Sequence, residues 1–360
     1  MNEELNKYVW GKSGTADSEV KHLETLLSEL RYTRQEPVFL QSLPKLQFSP
    51  WWKQVVDWVL IAPRLRYPRF AIATAASILV VALSVGLIRN HFSWQPNRPW
   101  AITAVEGSPR LENAEPGSLH TLAVGQSLTT DAVSRAKIEI GNIGFVNVEP
   151  NSRIRLVETA SKRHRVALDY GTIQARTWAP PFTFAIETAS STLFDLGCAF
   201  TFHVDQAGFG LVHVDAGWVQ FEHDDRQTIV PAGAEALTRA ITGPGTAYFP
   251  DATAAFKAAL ATFDTSTPAS PERDRAIETM VTQARPRDAI TLLSLLHRVD
   301  LHQRDVLLAT LQRSVPIPSG SSRQQVLDLE PATMDRYWHA LGLGNPKSWL
   351  MHWRDLLKED

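Results

Sequence analysis

The sequence predicts a multi-domain chain in four parts. These are a short cytoplasmic helical head (1–69), one transmembrane helix (70–88), an all-β domain (100–250) built as a β-sandwich or solenoid, and a C-terminal α-helical domain (270–360). Three observations predict this fold class: an uncharged 19-residue stretch, a period-two alternation of apolar and polar residues after it, and helical periodicity beyond residue 270. With 44% hydrophobic and 21% charged residues, the chain has the composition of a folded protein.

The head is predicted to form a helical hairpin. Its second helix follows Asp17 or Ser18 as N-cap and carries leucines at helical spacing. About sixty residues with few aliphatic side chains form a marginal core alone. Either a partner protein completes this core, or the two helices pack on each other or on the membrane. The candidate partner-binding residues are Trp10, Leu23, Leu26, Leu27 and Leu30.

The stretch FAIATAASILVVALSVGLI (70–88) has the length of a membrane span. At a rise of 1.5 Å per residue it covers about 28 Å as a helix, close to the hydrocarbon thickness of a bilayer. The alternative is a helix buried in a soluble core. Residues 50–69 contain four basic side chains and residues 89–108 contain two, so the positive-inside rule predicts a cytoplasmic N-terminus. The expected localisation is the inner membrane, single-pass, with an extracytoplasmic C-terminus.

The β region consists of short alternating runs such as AKIEI, RIRLVE and FTFAIET, separated by Gly, Pro, Asn and Asp. This pattern is typical of antiparallel or solenoid-like β structure. One hairpin can be assigned a register. With its turn around Gly208, Phe202 lies opposite Val214 and His203 lies opposite His213, so that the apolar pair faces inward.

Three histidines at ten-residue spacing lie in this region, with two aspartates nearby: His203, His213, His223, Asp205 and Asp215. They could form a surface metal site, since cross-strand neighbours are close enough to share an ion. The alternative is that alternation simply places polar residues on the solvent face. No tight ligand motif accompanies the histidines, so the sequence favours the second interpretation and predicts no metal and no cofactor.

Five strand motifs follow one another in order through the β region: LDYG, FTFAIET, LGCAFTFHV, VHVDAGWV and VPAG. They lie at 168–171, 182–188, 196–204, 212–219 and 230–233. This series resembles the FecR domain, the extracytoplasmic module of FecR-type membrane regulators. The resemblance covers about residues 105–240. Its position just after a single predicted span also resembles the arrangement in that family.

One residue departs from the FecR pattern, which has Gly-Thr where this chain has Gly197-Cys198. Cys198 is interpreted as a small, partly buried residue, with a reactive thiol as the alternative. The motif glycines have a physical reason that is independent of the family. Gly171, Gly197, Gly217 and Gly233 are predicted at strand ends or bends, where a positive φ or a close backbone approach excludes other residues.

The C-terminal region is predicted to contain about five helices after a linker at 264–272. Ser270 followed by Pro271 is a helix start signal, Asp300 precedes another helix, and Asn345 followed by Pro346 begins the last. These helices either contact a protein partner or form a small bundle that caps the β domain.

The FecR resemblance implies a transmembrane signal transducer that regulates an extracytoplasmic-function sigma factor. The exterior β domain would sense an extracytoplasmic protein or ligand of unknown identity, and the N-terminal helices would bind the sigma factor. The alternative is a membrane-anchored extracytoplasmic scaffold or binding module without sigma-factor activity. The net charge of −2 gives no case for direct nucleic-acid binding. The sequence lacks G-x-S-x-G, H-E-x-x-H and P-loop motifs, so no enzyme is expected.

Overall fold

The structure is a computed structural model that describes residues 77–84, 86–87, 94–112, 119–224 and 226–343. Strands make up most of its first part. They are β1 (Trp100–Glu106), β2 (Arg110–Glu112), β3 (Thr121–Leu122), β4 (Ser127–Thr129), β5 (Arg135–Glu139), β6 (Gly144–Val148), β7 (Arg153–Ala160), β8 (Arg163–Thr177), β9 (Phe184–Glu187), β10 (Thr192–Asp195), β11 (Ala199–Val204), β12 (Gly210–Ala216), β13 (Trp218–His223), β14 (Arg226–Pro231), β15 (Glu235–Arg239) and β16 (Gly243–Pro244).

Helices follow the strands. They are α1 (Ala254–Thr265), α2 (Pro271–Gln283), α3 (Ala289–Leu295), α4 (Leu301–Leu311), α5 (Arg323–Leu327) and α6 (Pro331–Ala340), with single 3₁₀ turns at Pro286–Asp288 and Leu296–Arg298.

Strand β8, 15 residues long, belongs to two sheets. Its first half pairs with β7 and, in parallel, with β9, whereas its second half pairs with β6 and β11. The first sheet has the order β2-β4-β7-β8-β9-β10-β13-β14. The second has the order β3-β1-β5-β6-β8-β11-β12-β15-β16. The partners of β8 change at Gly171.

One apolar cluster lies between the two sheets. Phe202 on β11 and Phe221 on β13 belong to different sheets, and their ring centroids are 5.5 Å apart. Trp100 and Phe184 make a second such contact at 6.4 Å. Inward-facing residues alternate with more exposed ones along strands such as β6, as the period of two requires. Two sheets enclosing a shared core form a β-sandwich rather than a solenoid.

The register predicted for the β11–β12 hairpin is wrong by two residues, although the faces are right. Phe202 pairs with Val212, two residues before the predicted partner, and both are buried. The turn is centred at Ala207 because the Asp205 carboxylate accepts a hydrogen bond from the Ala207 N–H at 2.8 Å. Moving the turn centre by one residue shifts every pair by two, which leaves each side chain on its original face.

The helices form a second apolar cluster and also touch the sandwich core. All described residues belong to one unit, Ile61–Asp360, and Ile290 of α3 is buried in the cluster of the sandwich. The start signal at Ser270 is confirmed, since its side chain accepts from the backbone N–H of Arg273, and Asp300 caps α4 in the same way. The linker predicted at 264–272 begins too early, because α1 extends to Thr265.

The predicted transmembrane helix is wrong. Within 70–88 the structure describes helical residues 77–84 and 86–87. Within the described ranges, no helix combines the length and apolar character that a bilayer crossing requires. The single-pass inner-membrane localisation, with a cytoplasmic N-terminus and an extracytoplasmic C-terminus, is therefore also wrong, and the membrane is not supported as a partner.

Candidate functional site

The predicted partner-binding residues lie outside the described part of the chain. This holds for all five: Trp10, Leu23, Leu26, Leu27 and Leu30. Their assignment to a sigma-factor surface stays a prediction. The candidate sites that the structure describes are in the sandwich and at its junction with the helices.

The three histidines proposed as metal ligands are not brought together. His203 is hydrogen-bonded through Nδ1 to Thr172 Oγ1 at 2.9 Å, and His213 lies 3.3 Å from Glu235 Oε1. His223 is on β13, which belongs to the other sheet. Among the described residues, no group of three or more His, Cys, Asp or Glu side chains could hold a metal ion.

The Gly197-Cys198 motif encloses a buried carboxylate that sequence reasoning missed. Asp195, at the end of β10, is fully buried and accepts hydrogen bonds from the Thr177 hydroxyl and the Cys198 thiol. The backbone N–H groups of Gly197 and Cys198 also donate to it. Thr177 ends β8 and Cys198 immediately precedes β11. Through these hydrogen bonds, the carboxylate on β10 links the end of β8 to the start of β11 at one corner of the sandwich.

Burial sets the protonation of this cluster. It raises the pKa of Asp195 to about 6, although the four donors around the carboxylate act in the opposite direction. Burial and the neighbouring Asp195 raise the pKa of the Cys198 thiol well above its usual value. The thiolate is the reactive form of cysteine, so this geometry favours a hydrogen-bond donor at Cys198 over the alternative of a reactive thiol.

A cavity of about 290 Å³ lies between the β14–β15 turn and the helices. Most of its lining residues are apolar in type, although polar atoms make up nearly half of the exposed lining; the apolar residues include Ala232, Phe249, Ile290, Val315, Leu341 and Leu343. The charged side chain in the lining is Arg287, whose guanidinium lies 4.2 Å from the centroid of the Phe249 ring and 3.1 Å from Asp251. Because this charge already has partners, the cavity suits an apolar side chain better than an anionic ligand.

A buried polar cluster joins the sandwich to the helices. The Asp264 carboxylate, in the last turn of α1, accepts from the backbone N–H and the hydroxyl of Thr246, both at 2.9 Å. It also accepts from the Arg298 guanidinium. Arg273 donates to the Arg298 carbonyl at 2.8 Å. Sequence reasoning placed Asp264 in a linker, although the apolar spacing of Phe256, Leu260 and Phe263 continues a helix up to it.

Comparison with known proteins gives a limited result. No family model and no curated protein matches the chain. The chain is similar to two crystal structures, at 1.65 Å and 2.50 Å resolution, of a proposed anti-sigma factor from Parabacteroides distasonis ATCC 8503. Both matches have 16% sequence identity and a TM-score of 0.30, and cover 38% of this chain and 64% of that chain. The chain thus spans less than two thirds of the structures it matches, and function has to be argued from its own residues.

Proposed function

We propose that the chain is a protein-binding regulator of a sigma factor. In this proposal, the N-terminal residues 1–69 bind the sigma factor, the β-sandwich receives the signal, and the chain carries out no catalysis. The leucine stripe of the head would cover the surface of the sigma factor that binds polymerase.

The observation that carries the proposal is the physical role of the FecR-like motif glycines. Gly171, Gly197, Gly217 and Gly233 have φ angles of 102°, 89°, 74° and 78°, in the left-handed region that other residues rarely adopt. A Cβ on Gly217 would lie 2.1 Å from the carbonyl oxygen of Gly197. The five-motif series therefore coincides with positions that the sandwich constrains strongly. This supports interpreting the series as a FecR-like domain rather than as chance alternation.

A second candidate function is an interaction scaffold without sigma-factor activity. The cavity between the sandwich and the helices favours it, because a protein side chain would fit there without any contribution from residues 1–69. The two candidates differ in which part of the chain carries the partner.

Affinity capture from the native cell with the full-length chain tests the proposal. We expect a sigma factor to be recovered with the wild type and lost with Leu26→Asp plus Leu27→Asp, because two buried charges would disrupt an apolar contact. The matched control is Ile241→Asp plus Leu301→Asp, which changes two side chains that are 93% and 59% exposed. Recovery of no sigma factor by any of the three proteins would contradict the proposal, and partners retained by the Leu26/Leu27 variant would support the scaffold.

A further inference from the structure

The chain enters the sandwich through residues 94–99, here called the lead-in segment, which is held on the turn between β7 and β8. Trp100, which follows it, is the first residue of β1 and pairs with β3. The backbone N–H of Trp94 donates to Ser161 Oγ at 2.6 Å, and Ser161 returns two hydrogen bonds to the Trp94 carbonyl, from Oγ at 2.9 Å and from its backbone N–H at 3.1 Å. Further along, the Asn97 N–H donates to the Thr159 carbonyl at 2.9 Å. The lead-in segment is thus attached mainly to one two-residue turn.

A buried histidine lies beneath this attachment. His164 is 2% exposed, and its Nδ1 is 3.1 Å from Thr159 Oγ1. The indole Nε1 of Trp100 donates to the same hydroxyl at 3.0 Å. An indole N–H can only donate, so the Thr159 hydroxyl accepts there and keeps its own proton and a second lone pair for His164 Nδ1. The neutral imidazole with its proton on Nε2 uses that hydroxyl proton, and we take it as the closed state.

Aromatic and backbone groups enclose the imidazole. The ring centroids of Trp94 and Trp100 lie 6.2 Å and 5.9 Å from that of His164. A Cβ on Gly141 would lie 3.0 Å from His164 Cε1, so the backbone closes another side. Strands β7 and β9 each have a partner strand on both sides, whereas Trp94 is outside any strand. The lead-in segment is therefore the wall of this site that can move at the lowest cost.

No opposite charge is positioned to stabilise a protonated His164. The neighbours of His164 on β8, Arg163 and Arg165, point to the opposite face of the strand. There Arg163 pairs with Glu158 of β7 at 3.1 Å, and Arg165 pairs with Glu187 of β9 at 2.9 Å. From the lead-in segment, Arg98 lies 4.4 Å over the Trp94 ring and adds a positive charge. None of the ion pairs among the described residues includes His164, and burial alone lowers its pKa to about 4.

We propose that His164 is an acid-responsive latch: uptake of a proton at Nδ1 releases the lead-in segment from the β7–β8 turn while the rest of the sandwich stays folded. The proton converts Nδ1 from an acceptor into a donor. Thr159 Oγ1 then faces two donors, and the proton of its hydroxyl no longer has an acceptor in His164. The protonated imidazole is also buried without a carboxylate beside it. Moving the lead-in segment exposes the imidazolium to water. An effect of this release on residues 1–69 would rest on the proposed function. The release itself does not depend on that proposal.

The sign of the pH dependence follows from the two states. With the ring exposed, His164 has an ordinary pKa of about 6.5, whereas with the latch closed it has one of about 4. The released state therefore binds the proton more tightly, and release becomes more favourable as the pH falls from about 6.5 towards 4. Between pH 7.5 and pH 4.5 the released-to-closed ratio rises roughly 70-fold.

Hydrogen exchange of the full-length chain, corrected for the intrinsic pH dependence, measures this ratio. We expect protection of the peptides covering 94–99 and 159–164 to fall roughly 70-fold relative to β11–β12 between pH 7.5 and pH 4.5. His164→Phe and His164→Gln should both remove this dependence. Phenylalanine fills the site but cannot titrate, and glutamine keeps an acceptor for the Thr159 hydroxyl. If one of the two variants fails to fold, the other still gives the measurement. His203→Phe, at an exposed histidine, is the matched control and should behave as the wild type.

Three results would overturn the latch: wild-type protection of the lead-in segment that does not depend on pH, a dependence that persists in the His164 variants, or loss of protection over the whole sandwich at the same pH. A sigma factor is not needed for any of these measurements. Failure of the latch is thus distinguishable from failure of the proposed function, which the capture experiment decides.

Discussion

The thiol of Cys198 is a hydrogen-bond donor inside the sandwich, a role that a threonine hydroxyl could also fill. It donates to the buried Asp195 carboxylate, as does the hydroxyl of Thr177. A carboxylate without exposure to water requires several donors, because each missing one leaves an uncompensated lone pair. The side chain at this position must therefore be able to donate a hydrogen bond and must also have the right volume.

A pair of isosteric variants tests this role. Cys198→Thr keeps a donor and should change the free energy of unfolding by less than about 1 kcal/mol, whereas Cys198→Val removes the donor at the same shape and should cost about 1–3 kcal/mol. Urea denaturation at pH 7 gives both values. Equal stability of the two variants would show that the thiol acts only through its volume.

Residues of this kind mark the limit of sequence reasoning. The motif glycines were predicted at strand ends and bends, and their positive φ angles confirm this, because a backbone requirement leaves a local trace in the residue type. Asp195 was not recognised, since a buried carboxylate has no local signature and its donors come from the end of β8 and from the residues just before β11.

At the scale of elements, β8 is the strand on which the sandwich depends, and Gly171 is where it passes between the sheets. A Cβ there would lie 2.2 Å from Ser152 Oγ and 2.3 Å from Ser152 Cα, and φ is 102°. Gly171→Ala should therefore cost more than about 3 kcal/mol, because both the close approach and the backbone conformation exclude a side chain.

The control for this prediction is Gly125→Ala. Gly125 also has a positive φ, of 85°, but no atom lies within 4 Å of its added Cβ. The cost there should be the backbone strain alone, about 1 kcal/mol. Thermal unfolding of both variants separates the cost of backbone strain from the cost of a steric clash. Equal shifts in Tm would contradict the role assigned to Gly171.

The β11–β12 hairpin shows which part of an element can be predicted. Alternation fixed the faces, so that Phe202 and Val212 are buried as expected. The register depends on where the turn is centred, and this was decided by hydrogen bonds from the Ala207 and Phe209 backbone to Asp205. A turn of this kind has several possible centres in the same sequence, and those that differ by a whole residue keep the same faces.

For the whole molecule, the β character of the middle region and helices after it were predictable, because periodicity reports which side of an element is buried. The membrane span was wrong, since apolar character over 19 uncharged residues is necessary but not sufficient for a bilayer-crossing helix, and no helix among the described residues meets both requirements of length and apolar character. The junction between sandwich and helices could not be predicted, because Thr246, Asp264 and Arg298 meet only in the folded chain.

Because Thr246, Asp264 and Arg298 join the sandwich to the helices, we expect the two parts to unfold together. Arg298→Met leaves the Asp264 carboxylate buried without its charged partner, and should cost about 3–5 kcal/mol and split the single unfolding transition into two. Arg323→Met removes an ion pair to Asp305 of 2.7 Å that is exposed on both sides, and should cost less than about 1 kcal/mol with one transition retained. Circular dichroism follows the helices, and hydrogen exchange of β11–β12 follows the sandwich, during urea unfolding. If Arg298→Met matched Arg323→Met in both probes, the polar cluster would not be what holds the helices to the sandwich, and the apolar contacts around Ile290 would have to do so alone.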